Sequence, residues 1–95
     1  MTSYDSLAMV LAEALEQASG GKGKERHDPL GDRFEDQQIV RLGLWAGSNH
    51  FCLGQAQKKS IESARLPYAR ARAELLGAIN YLAAAVITLD MLEAK

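Results

Sequence analysis

The sequence predicts an all-α protein: a small bundle of about four helices with a long C-terminal helix. Three observations point there. Only two prolines interrupt 95 residues. Runs rich in Ala, Leu, Glu, Arg and Lys, the residues that cost least in a helix, fill much of the remainder. Residues 67–93 carry apolar side chains at heptad spacing. Apolar residues make up 47% of the chain, enough for a packed core and too many for a disordered one. At this length the chain forms one domain with a modest core, so burial against another subunit would add stability.

The first helix is expected over residues 3–18. Thr2 followed by Asp5 reads as a capping box. Leu7, Val10, Leu11 and Ala14 fall on one stripe, with Leu15 and Ala18 beside it. Gly20 and Gly21 provide a stop. A loop over residues 19–31 follows. Asp32 and Glu35 repeat the capping-box pattern, which predicts a helix of about three turns carrying Phe34, Ile39, Leu42 and Trp45. Gly43 weakens that helix, because an interior glycine costs about 1 kcal/mol against alanine. Gly47-Ser48-Asn49 reads as a stop and a fresh N-cap.

The third helix is expected over residues 50–64, with Leu53, Ala56 or Gln57, Ser60 and Ile61 near one face. Lys58 and Lys59 then project from another face. Gly54 either lowers the stability of this helix or permits a close backbone approach. Leu66-Pro67 ends it, since the residue before proline avoids the α region, and proline suits the first turn of the next helix. In that last helix Tyr68, Leu75, Leu82 and Leu89 recur every seven residues, as do Ala71, Ala78, Ala85 and Leu92. Ile79 and Val86 widen the stripe. The run LLGAINYLAAAVITL, residues 75–89, holds no charge. It is too short and too polar to predict a membrane span. A helix apolar nearly all round is buried from several sides, and three short helices cover only part of it. A homo-oligomer is therefore expected, with Leu75, Ala78, Leu82, Ala85 and Leu89 at the interface; the alternative is that this helix is the central one of a compact monomer.

The net charge is −1, yet residues 41–73 hold six basic side chains against the single acid Glu62. A locally basic half in a neutral chain points to a local anionic ligand rather than to nucleic acid. The lone Cys52 can form no internal disulfide, and the N-terminus has no signal-peptide pattern. Both features predict a cytoplasmic protein. Segment GGKGKERHDP, residues 20–29, is the densest chemical feature. It reads either as a flexible basic linker, the commoner role of a short Gly/Lys run, or as an anion site in which glycines let backbone N–H groups converge, Lys22, Lys24 and Arg26 add charge, and His27 adds a donor. Lys58, Lys59 and Arg65 are candidates to complete the site from a neighbouring subunit. The segment is no Walker A motif: Ala18 stands where the first glycine belongs, Glu25 replaces the hydroxyl residue, and no strand precedes it.

Catalytic and metal patterns are sparse. His27 and His50 lie far apart and Cys52 stands alone, so no catalytic residue, metal ligand or cofactor is expected. Cys52 near a helix start, beside His50, lacks an orienting third group and reads as a buried structural thiol. Trp45 and Phe51 flank a glycine-containing turn where bases could stack, although such rings more often belong to a core. Glu62 and Glu74 invite comparison with small all-helical pyrophosphohydrolases of the MazG type, which hold magnesium with paired acids on facing helices. Here neither glutamate has a second acid three or four residues away, and ELLGAIN has glycine where a second ligand would stand.

The blocks GKGKERH, RFEDQ, LGQAQKK and ELLGAINYLAAAVI resemble those of small phage or prophage proteins, across most of residues 20–87. That resemblance implies an anti-defence role. The leading expectation is a non-enzymatic sponge for a phosphate-bearing ligand such as a nucleotide immune signal. The alternative is a protein-binding inhibitor of a host defence complex, such as an anti-CRISPR protein. The third is a MazG-like nucleotide pyrophosphohydrolase.

Overall fold

The computed structural model describes residues 3–20 and 31–94, and in them the chain is helices joined by short turns, with no strand. Four α-helices follow one another: α1 (Asp5–Gly20), α2 (Gln38–Ala46), α3 (His50–Ser63) and α4 (Tyr68–Glu93). A short 3₁₀ turn, Phe34–Asp36, precedes α2. The expected all-α bundle with a long last helix is thus the fold, and α4 is the element on which the other three rest.

Helix ends explain most of the boundaries. Thr2 of the first expected capping box lies outside the described residues; α1 starts at Asp5, and the Tyr4 carbonyl accepts the Ala8 N–H at 3.0 Å. The second expected capping box does not form, and α2 begins six residues later than Asp32. The cause is local pairing. Asp36 is held between Arg33 and Arg41. The Gln37 side chain donates back to the Asp32 carbonyl at 3.0 Å, and Gln37 itself is extended at φ −79°, ψ 159°. At the other end Gly47 takes φ 75°. The N–H of Gly47 reaches the Leu44 carbonyl and that of Ser48 the Gly43 carbonyl, at 3.2 and 3.0 Å. This is a Schellman stop, and it needs glycine because a Cβ is strained at positive φ. Asn49 makes no side-chain cap on α3; the Ser48 hydroxyl accepts from the His50 N–H instead, at 3.4 Å.

The core lies where α2 and α3 meet α4. It comprises Ile39 and Val40 of α2, Cys52 and Ala56 of α3, and Ala78, Tyr81, Ala84 and Ala85 of α4. On α4 the buried line runs Gly77, Tyr81, Ala84, Thr88, a three-four alternation that keeps one edge of the helix against its partners. Small residues there allow close approach. Gly43 shows the limit: a Cβ on it would stand 2.8 Å from Thr88 Cγ2 and 2.9 Å from the Ser48 carbonyl oxygen. The interior glycine that weakens α2 as an isolated helix is what lets it seat on α4. Gly54, by contrast, faces open space and mediates no contact.

Three stripes read from periodicity require correction. On α3 the buried line is Cys52 and Ala56, continuing to half-buried Lys59, whereas Leu53 and Ile61 are exposed. On α1 only Ala14 is buried, and Leu7, Leu11 and Leu15 face outward. On α4 the two heptad layers separate. Ala78 and Ala85 pack inside the chain's own core, while Leu75, Leu82 and Leu89 are about half exposed, at 45, 49 and 56%. Ala78 and Ala85 therefore have no free surface to offer an interface.

The two interior glycines generate opposite expectations. Gly43→Ala pushes a methyl into Thr88 and the Ser48 backbone, which cannot yield, and destabilises the fold by about 1–3 kcal/mol. Gly77→Ala meets only the flexible Lys59 stem at 3.3 Å and the Gln17 amide at 3.5 Å. Its gain in helix preference, up to about 1 kcal/mol, then leaves the fold unchanged or more stable. Equilibrium urea unfolding of the two variants reads the sign directly.

Candidate functional site

α1 is held to α4 largely by polar contacts, because it buries so little. Arg72 grips Glu13 with both guanidinium nitrogens, one bond being 3.1 Å. The Asn80 amide donates to the Ala14 carbonyl at 2.9 Å, and the Gln17 amide to the Ala73 carbonyl at 3.3 Å. Beside these tethers, α1, the 3₁₀ turn and α4 enclose a groove of about 490 Å³. Leu11 and Leu15 of α1, Phe34 of the 3₁₀ turn, and Ile79, Ala83 and Ile87 of α4 form its apolar walls. Its polar points are Ser19, Asp32, Gln37 and Asn80. Gln37 is buried, at 7% exposure, with its N–H committed to Asp32. No donor among the described residues reaches the amide oxygens of Gln37 or Asn80. A pocket of this size, apolar with a few fixed amides, matches small-ligand sites.

Ser19 and Asp32 stand at the rim, and they bracket the glycine/basic segment in sequence. Lys22, Lys24, Arg26 and His27 themselves lie outside the described residues. The other basic candidates divide. Lys58 and Arg65 are exposed and enter no ion pair among the described residues. Lys59 is not free to grip a phosphate. Its ammonium, 14% exposed, lies 3.3 Å from Glu74 and 5.8 Å from the centre of the Tyr81 ring. Phe51 meets the same ring edge-on, with centroids 6.2 Å apart.

That ion pair also bears on hydrolysis. Glu74 is neutralised by a lysine on the facing helix, Gly77 stands one turn on, and Glu62 is exposed. No group of three or more His, Cys, Asp or Glu among the described residues could hold a metal ion. Cys52 is buried, donates to the Ile39 carbonyl at 3.0 Å, and has its thiol pushed up by burial. A raised thiol is a poor nucleophile. Trp45 is 89% exposed and belongs to no core. By length and composition α4 could cross a membrane, though it packs here against three helices.

The groove was not legible in the sequence, because it depends on how far α1 stands from α4. One signal was available: Asn80 interrupts the uncharged run of α4, and its amide donates to the Ala14 carbonyl of α1. Comparison with protein-family models, curated proteins and solved structures finds no match. The likeness to phage proteins therefore rests on the sequence blocks alone.

The α1 tether has a defined pH response. Arg72 hydrogen-bonds the charged Glu13 carboxylate and holds it below the ordinary value of 4.5. The stabilisation is complete at neutral pH and is lost as pH falls below 4.5, through the lowered folded-state value. Glu13→Gln removes this titration. Across the acid window the urea midpoint of the native chain falls more steeply than that of the variant.

Proposed function

We propose that the chain is a non-enzymatic, cytoplasmic binding protein that sequesters a nucleotide-like ligand, base in the groove and phosphate at its rim. The observation that carries this reading is the position of Ser19 and Asp32. Ser19 and Asp32, which flank the glycine/basic segment in sequence, both line an apolar groove that contains two amides. Glutamine and asparagine amides pair with the donor and acceptor edge of adenine, and Leu15 and Phe34 give the ring apolar walls. Lys22, Lys24 and Arg26 supply the phosphate contacts. With the phage-type resemblance, the role is capture of a nucleotide immune signal.

Calorimetric titration of cyclic and linear adenine and guanine nucleotides tests this. Binding with Lys22→Ala and Arg26→Ala each lowering affinity about 10- to 100-fold is expected, since a charged hydrogen bond contributes about 1.5–3 kcal/mol. Ala83→Trp fills the groove and abolishes the signal. No heat with any nucleotide eliminates the reading.

A second reading, an inhibitor that docks on a host defence protein, is favoured by Trp45. A solvent-facing tryptophan beside exposed Leu42 has the character of an interface anchor. Under it, Trp45→Ala loses a stoichiometric host partner in pull-down, while Ala83→Trp retains it.

A further inference from the structure

We propose that the outer face of α4 is the seam of an antiparallel two-fold homodimer, in a register centred on Leu82. Leu75, Ile79, Leu82, Val86 and Leu89 succeed one another at spacings of four, three, four and three residues. That is the alternation by which one helix meets another over several turns. It lies opposite the buried line of Gly77, Tyr81, Ala84 and Thr88, so α4 carries two seams, and the described residues fill only the inner one. A partner with the same spacing fits it, and a second copy of α4 has that spacing.

The charges fix the direction. Arg70 and Arg72 stand near the N-terminal end of α4, and Asp90 and Glu93 near the C-terminal end. Each pair opposes the helix dipole, which favours acids at the start and bases at the end. An antiparallel partner reverses that situation: it brings its Glu93 level with the Arg70–Arg72 turn, while its Asp90 comes opposite Glu74, which Lys59 already neutralises. Leu75 and Leu89 are equidistant from Leu82, so each meets the partner's counterpart, and Leu82 meets the partner's Leu82. Arg72, which keeps Glu13, is brought near the partner's Glu93. The uncharged run between these ends presents no like-charge clash. A parallel pair would set arginines beside arginines and acids beside acids.

Lipid is the less suitable cover. α3 packs against α4 and carries Gln55, Gln57, Lys58, Lys59 and Glu62, so α4 cannot enter hydrocarbon without drawing that helix in or unpacking the core. The dimer does not rest on the nucleotide reading, although Ile79 lines the groove as well as the seam.

Light scattering of the full chain tests the state, and cysteine cross-linking tests the register. Twice the 10.3 kDa chain mass is expected, falling to the single mass in Leu82→Glu with helical circular dichroism retained. Under mild oxidation Leu82→Cys links to itself. Leu75→Cys and Leu89→Cys do not self-link but join when mixed, and the native Cys52 is buried and stays out of the reaction. A monomeric native chain, self-linking of Leu75→Cys, or recovery of the protein on phospholipid vesicles without self-association each overturns the proposal. Loss of nucleotide binding with the dimer intact would count against the groove reading alone.

Discussion

Close approach to one edge of α4 is the constraint on which the rest of the structure depends. Ala84 and Thr88 keep that edge narrow, and Gly43 of α2 removes the last side chain that would hold the helices apart. Helices that approach this closely exchange volume for contact. Among the described residues, five of the ten buried apolar side chains are alanine. The core is tight but small, and its stabilisation comes from packing rather than from large apolar area.

The consequence appears on the outside. Fifteen large apolar side chains among the described residues remain exposed, spread over all four helices. Scattered singly, such residues need no explanation, but Leu11 and Leu15 of α1 line the groove, and Leu75, Leu82, Val86 and Leu89 recur along the outer face of α4. The fold therefore has its small residues inside and many of its large ones outside. In a chain of this size little else in the described residues is available to cover those side chains.

Polar contacts do a different task from the core: they set spacing. Glu13–Arg72, Asn80–Ala14 and Gln17–Ala73 hold α1 in place without closing it onto α4. Lys59 spans α3 and α4 to reach Glu74 under the Tyr81 ring. That placement removes one basic group from the ligand-binding candidates and one acid from the metal-binding ones.

Local chemistry determined the helical class, the number of helices and several ends. Gly47 stops α2 because only glycine accepts its φ, and Pro67 starts α4 because its ring fixes the backbone there. Those are properties of adjacent residues, and a sequence carries them openly. The start of α2 was hidden, because Arg33, Asp36, Arg41 and the Gln37 side chain compete with the cap that Asp32 and Glu35 advertise. Faces were hidden too. The heptad pattern of α4 is real in both its layers, yet periodicity cannot say which layer turns inward. Tertiary packing decided it: alanine went in where α2 and α3 need room, and leucine was left outside. The groove follows from the same cause, since its width is a distance between helices that no single helix encodes.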